Sequence, residues 1–404
     1  MFSPTPSPVH DVIVVGARAA GAATALLLAR LGHDVLVVDR TELPSDTIST
    51  HQLARTGVVA LQRWGLLDEV VASGAPAIRQ VTFHTIGDPG HPPKPSVTRA
   101  IKDKSGVDFL VAPRRWVLDT LVARAAQRAG ATIRYGVTVN GVLRDSAGGV
   151  VGVRGHDERD QPVELRARFV VGADGLGSRI ARSVGAPRIV DRGAPGATLY
   201  AYYTGLPWPG IEFVTRTGSF AGVFPTHHGE AAIWVCLPTA TALAARKGRS
   251  PEVAFTALLE RAAPELAERL HDAARTSPVR GMLRAPNQIR RGVGPGWALV
   301  GDAAYHRDPV SGHGLSDAYR DAELLAVALD AALTGVVEED VALAEYEQAR
   351  LRESREIFDL TYALAQYPPI STFVELNKRL GDAIEAEAAA LAARPIPGAA
   401  LAWA

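Results

Sequence analysis

The stretch "GARAAG", Gly16 to Gly21, follows the apolar run "DVIVV" and opens an Ala- and Leu-rich segment ending at Gly32. In a strand–loop–helix turn, the first glycine allows the tight bend and the last lets helix and strand pack closely. The free N–H groups of the helix start attract an anion. Arg18 stands where a second glycine would let the backbone approach a diphosphate. It serves there if its φ is negative and its side chain runs along or over the phosphates. Ala20 lies in the same turn. Asp39 comes 23 residues after Gly16, at the end of "DVLVVD", where a carboxylate accepts hydrogen bonds from a ribose, and Arg40 is beside it. The chemistry these residues suit is dinucleotide binding.

Composition narrows the partners. The 404 residues carry 43 basic and 43 acidic side chains, so no net field draws the chain to nucleic acid or an anionic membrane. The single cysteine, Cys236 in "AAIWVCLP", reads as core, and it excludes intrachain disulfides and thiolate metal sites. No His-Glu-x-x-His, Gly-x-Ser-x-Gly or Walker pattern occurs, and no metal is expected. The N-terminal "MFSPTPSPVHD" lacks a basic-then-apolar order, and the C-terminal "LAARPIPGAALAWA" is interrupted by Arg394, Pro395 and Pro397. The expectation is a cytoplasmic protein without stable membrane insertion.

The elements that must hold the loop follow from pattern. Residues 12–15 and "DVLVVD" read as parallel strands buried on both faces, flanking a helix over 17–31. From 133 to 172, strand-like runs separated by turn residues read as an antiparallel meander. Residues 197–238 are β-rich, a helical stretch follows at about 250–272, and "GWALVGDAA" returns to the buried-strand pattern. "GLSDAYRDAELLAVALDAAL", from Gly314, begins a helix with apolar residues at helical spacing, residues 340–366 continue as an amphipathic helix, and "YPPI" breaks the pattern before a last Ala-rich helical segment. The nucleotide domain is therefore discontinuous.

Two later stretches carry a resemblance. "VVGADGLGSRIARSVGA" (170–186) and "ALVGDAAYHRDPVSGHGLSDAYRDAELLA" (298–326), in order after "GARAAG", resemble the FAD-dependent monooxygenases of the p-hydroxybenzoate hydroxylase fold and their geranylgeranyl-reductase-like relatives. The resemblance covers roughly 10–350. It implies an α/β fold with a Rossmann-like FAD-binding domain (1–75, 105–185 and 280–335), an inserted β-rich substrate domain (76–104 and 186–279) and a C-terminal helical region (336–404). Asp174, Gly175 and Ser178 match the family's Asp-Gly stretch, with Ala181 in place of its arginine and Arg179 and Arg182 nearby. Gly301 and Asp302 match the pair whose aspartate holds the ribityl hydroxyls. Pro309, Gly312, His313 and Gly314 match the proline and helix start beside the isoalloxazine, where a helix N-terminus stabilises negative charge on the reduced flavin.

Arg115, with Arg114 second, matches an arginine touching the cofactor's diphosphate, and relatives with Gly-x-Arg-x-x-Gly make Arg18 a working variant. Candidate catalytic residues are His306, Tyr305 and His51. His227 and His228 in "FPTHHGE" could take a phenol's proton. The resemblance implies FAD, NAD(P)H as transient reductant, and O2. A flavin C4a-hydroperoxide would hydroxylate or epoxidise a small apolar metabolite, of aromatic or polyketide type, in a monomer or homodimer. A reductase of isoprenoid double bonds and a redox-neutral FAD-containing cyclase are alternatives. Tryptophan-type halogenation is disfavoured by the missing Trp-x-Trp-x-x-Pro.

Overall fold

The computed structural model describes residues 9–49, 52–87 and 92–398. Its first sheet aligns Trp297–Leu299, Pro162–Gly172, Val9–Val15, Val35–Asp39 and Thr132–Tyr135 as parallel neighbours, in that order. Val12 and Val14 point into a core shared with helices Ala19–Arg30, Arg115–Arg128 and Gly314–Leu333. Ile13 and Val15 point to the opposite core. Burial on both faces is why these strands are apolar without alternation.

The meander is present, but its last strand does two jobs. The first half of Pro162–Gly172 alternates exposed and buried residues and pairs antiparallel with Val150–His156. Its second half, fully buried from Phe169, pairs parallel with Val9–Val15. The change of pattern within one strand marks where the sheet becomes covered on both sides.

Gly196–Thr204, Ile211–Arg216, Ser219–Pro225 and Ala231–Pro238 form a second sheet. Gln80–Thr85 joins it by parallel pairing with Ile211–Arg216 and carries Lys94–Ala100 at the edge. Arg280–Ala285, placed by sequence in the nucleotide block, instead pairs with Gly196–Thr204. Period-two alternation splits this sheet's side chains. Leu199, Ala201 and Tyr203 pack with residues of helix Pro251–Ala262. Tyr200, Tyr202, Phe220, Phe224 and Trp234 face the other way, toward Phe373 and Leu380 of the last helix, Ile370–Ala392. A short third sheet, Arg188–Asp191, Gln288–Arg290 and Tyr305–His306, fixes the start of the polar stretch 305–308. No helix of the described residues is long and apolar enough to cross a membrane.

Candidate cofactor cleft and substrate cavity

A cleft of about 930 Å³ runs from the turn at Gly16 to the segment 305–318, with Thr198 and Tyr200 of the second sheet on its wall. That lies near the top of the roughly 300–1,000 Å³ usual for cofactor sites. Gly16 has φ 110°, and a Cβ there would sit 2.5 Å from the Ala173 carbonyl oxygen. A Cβ on Gly21 would sit 1.8 Å from the Gly16 oxygen. Arg18 precedes the helix with φ −92° and ψ −168°, an extended conformation open to any residue, and no side chain caps the helix start.

The Arg18 side chain turns sideways. It donates to the Ser45 carbonyl (3.0 Å), the Ser45 hydroxyl (2.8 Å) and Asp119 Oδ2 (3.1 Å). Arg115 donates to both oxygens of the same Asp119, each at 3.0 Å, and Asp119 is fully buried. Arg18 thus braces the 45–46 segment against helix Arg115–Arg128, while Ala20, Arg40 and Arg115 line the cleft. Arg114 is spent elsewhere, on Glu230 (2.7 Å) and Asp46 (3.2 Å). Sequence reasoning missed Asp119, although its i,i+4 spacing from Arg115 was legible. Since the turn needs no residue-specific φ at position 18, Arg18→Gly is expected to purify with FAD bound, checked by the flavin-to-protein ratio. Apoprotein would contradict this.

Asp39 accepts from the Ala17 N–H (2.7 Å) and the Thr41 N–H (2.9 Å), bracing the turn from the neighbouring strand. Asp174 pairs with no arginine side chain among the described residues. It accepts from the Ser178 hydroxyl (2.6 Å) and from the N–H of Arg179 (2.6 Å) and Ile180 (3.2 Å), capping the short helix Arg179–Ser183 beside Gly175 (φ 75°). A cap needs only backbone donors, which explains why the missing arginine is tolerated. Gly301 (φ 60°) brings the third motif to the first: a Cβ there would meet Ala20 Cβ at 2.9 Å. The next residue, Asp302, is exposed to the cleft and has no hydrogen-bond partner among the described residues.

Pro309–Ser311 forms a turn ended by Gly312 (φ 61°), and the helix Gly314–Leu333 begins without a side-chain cap. Pro309, Gly312, His313 and Gly314 all line the cleft. The His313 imidazole is enclosed and bonds Glu387 of the last helix at 2.6 Å, so its backbone is what faces the cleft. Arg320, fully buried, also bonds Glu387 (2.6 Å), Asp317 (2.9 Å) and Asp321 (2.6 Å). Arg307 bonds Asp317 as well. His313, Asp317 and Glu387 converge within 4.8 Å, a metal-like cluster whose carboxylates are already neutralised by these arginines.

The polar stretch divides by role. His306 shares its Nδ1 proton with the Pro286 carbonyl (2.5 Å), which leaves Nε2 unpartnered among the described residues on a side chain lining the cleft. Tyr305 also lines the cleft, but its hydroxyl accepts from Arg307 (2.8 Å), and burial pushes its ionisation far above the ordinary range. It therefore holds Arg307 and keeps its proton. Asp308 is buried, caps Val310 N–H (3.0 Å) and is pushed up to about 6 by burial. His51 lies outside the described residues. His227 and His228 are not at the cleft. His227 is lowered to about 4, first by burial and then by His228 and Arg114, and its Nδ1 accepts from the Arg114 N–H (3.1 Å). The two histidines form the turn between Ser219–Pro225 and Ala231–Pro238, with His228 stacked on Trp116.

Beside Pro309–Gly312 lies a second, small cavity of about 50 Å³ under the second sheet, walled by Phe213, Phe220, Phe224 and Trp234. These rings contact one another edge-on or stacked at centroid distances from 5.1 to 6.0 Å. Cys236, its thiol bonded to Thr198 (3.1 Å), is part of the same wall and not a reactive thiol, since burial raises its ionisation far above the usual range.

A parallel sheet with an anion-receiving helix start, a cleft-lining carboxylate at Asp302 and a second uncapped helix start beside the cleft has the parts a dinucleotide flavoprotein needs. The chain belongs to the FAD binding domain family, whose pattern matches residues 9–361. It is an FAD-dependent oxidoreductase, with NAD(P)H the family's reductant. Digeranylgeranylglycerophospholipid reductase 1 of Methanopyrus kandleri is 27% identical over 378 residues, 89% of this chain and 90% of that one. The 2,4-dichlorophenol 6-monooxygenase of Delftia acidovorans is 28% identical over 199 residues, 46% of this chain and 33% of that enzyme. The solved structure of CndH, the myxobacterial chondrochloren halogenase, superposes with TM-score 0.77 and 26% identity, covering 89% of this chain and 82% of CndH.

Proposed function

We propose that the protein is a single-component FAD-dependent monooxygenase that uses NAD(P)H and O2 on a small, mostly apolar metabolite. The observation that carries this reading is the aromatic cavity abutting the Pro309–Gly312 turn, at the end of the cleft opposite the Gly16 loop. The cleft's free donors and acceptors fit the cofactor. The Ala19–Arg30 helix start would take the diphosphate, Asp302 the ribityl hydroxyls, and the Gly314–Leu333 helix start the electron-rich edge of the ring. FAD, when bound, supplies the redox and oxygen chemistry.

The chain's own part is positional and acid–base. The second sheet and last helix keep water from the ring site. His306, oriented by Pro286 on the cleft wall, accepts at Nε2 the proton of a substrate hydroxyl that projects from the cavity into the cleft, and so raises the electron density of the ring to be attacked. The division into a discontinuous cofactor domain, a substrate sheet and C-terminal helices belongs to this reading, as do a cytoplasmic location and a monomer or homodimer. The reductase relative supports saturation of an isoprenoid double bond as a second reading, but the aromatic rings that wall the cavity suit stacking on a planar ring better than holding a long chain.

Incubation with NAD(P)H, heavy oxygen gas and metabolite extract, read by mass spectrometry, tests this. One heavy oxygen atom in a new product is expected. A gain of two hydrogens without label would favour the reductase, and an NAD(P)H-independent product of unchanged mass the cyclase. Asp302→Ala is expected to weaken FAD binding roughly 10- to 100-fold, the value of hydrogen bonds to a charged acceptor. Titration of apoprotein with FAD measures it, and unchanged affinity would remove Asp302 from the cofactor site.

A further inference from the structure

The last helix, Ile370–Ala392, lies beyond the matched family region, which ends at 361. It is nonetheless built into the site. Glu385 bonds Arg55 (2.9 Å), and Glu387 bonds His313 and Arg320 on the cleft side. Phe373 packs on Phe220 at 5.3 Å, and Asn377 joins the wall of the aromatic cavity.

The polar inventory of that cavity is specific. Gln52 and Asn377 present carboxamides with no hydrogen-bond partner among the described residues. Ser311 Oγ and Trp234 Nε1 are enclosed and likewise unpartnered, with Trp234 only 3% exposed. Thr198 is already engaged with Cys236. Unpaired buried polar atoms cost free energy, so a ligand that pairs Ser311 Oγ or Trp234 Nε1 gains what the empty cavity forgoes, while the half-buried Gln52 and Asn377 carboxamides offer further donors and acceptors. No lysine, arginine or histidine lines this cavity among the described residues. A carboxylate entering it would lose its hydration without gaining a counter-charge.

We infer that the aromatic cavity takes a planar ring bearing an uncharged hydrogen-bonding substituent, read by Gln52 and by Asn377 from the helix beyond the family domain. This rests on the monooxygenase reading for its catalytic meaning, but the binding itself does not need turnover. The free volume of about 50 Å³ is small for a ring; an apolar cavity of roughly 150 Å³ holds benzene. The first turns of the last helix therefore shift outward on binding, hinged where Tyr367 adopts φ 49° ahead of Pro368 and Pro369.

Benzamide and benzoate, matched in shape and differing in charge, are the probes. Each is titrated into oxidised holoenzyme without NAD(P)H, and binding is read from the perturbed flavin absorption. Benzamide is expected to bind at least about tenfold more tightly than benzoate. Asn377→Leu should weaken benzamide about tenfold while leaving FAD content intact, and Asn377→Arg should shift the preference toward benzoate. Equal or tighter benzoate binding to the unsubstituted protein, no binding of either probe, or unchanged affinities in both variants would each overturn the assignment. Probe binding as expected without heavy-oxygen incorporation would instead reject the monooxygenase reading alone.

Discussion

Arg320→Met is expected to destabilise the protein by about 3–5 kcal/mol at neutral pH, the usual cost of breaking a buried ion network by removing one partner. Arg320 is fully buried and bonds Asp317, Asp321 and Glu387, so its loss leaves the buried Asp321 without a hydrogen-bond partner among the described residues, Asp317 with Arg307 alone, and Glu387 with His313 and Thr56. Methionine keeps most of the volume, which isolates charge from packing. The pH dependence gives a second signature. Burial pushes Glu387 upward, but His313 and Arg320 outweigh it and hold this carboxyl well below the usual carboxylate range. A depressed carboxyl adds stability that is present above its unfolded pKa, near 4.5, and is lost as pH falls toward its folded value. The gap between wild type and variant should therefore narrow as the solution is acidified below about pH 5. Urea unfolding at neutral and acidic pH checks both points; a pH-independent gap would mean packing, not charge, was lost.

His306→Ala is expected to lower kcat by roughly 10²–10⁴, the contribution of a positioned general base, with FAD content unchanged and KM little affected. The argument is geometric. One ring nitrogen is fixed by Pro286 and the other is left to the cleft, an arrangement that sets which lone pair meets substrate. Because the backbone of 305–306 is held by the three-stranded sheet, alanine should not move the Pro309–Gly312 turn. Steady-state kinetics on the product identified by heavy oxygen would measure it. A normal kcat would make His306 a wall residue only.

A milder acid-side effect arises in the second sheet. Burial pushes Glu212 up, but His84, at 3.5 Å, and Arg269, at 2.7 and 3.0 Å, prevail and bring it to about 2. The stability this pair adds is present above the unfolded pKa and fades as pH falls through about 4 toward 2. Glu212→Gln should remove that acid-side loss in a thermal-unfolding series, and an unchanged slope would assign it elsewhere.

The sequence by itself determined the parallel strands, the glycine roles at 16 and 21, and the three stretches that line the cleft. Each depends on local properties: two-faced burial writes a continuous apolar run, and a backbone too close for a Cβ demands glycine. It also determined the FAD family, through motif order. What only the tertiary structure decided depends on partners distant in the chain. Arg18 meets Asp119 and Ser45 rather than running over the phosphates, and Asp174 spends its oxygens on a helix cap. Arg280–Ala285 goes to the second sheet because Gly196–Thr204 offers it an edge. His227 and His228 lie in a turn away from the cleft, while Gln52, Ser311 and Asn377, unremarkable in sequence, meet around one aromatic cavity. Periodicity reports which face of an element is buried; it carries no record of which other element buries it, and the site is made of those meetings.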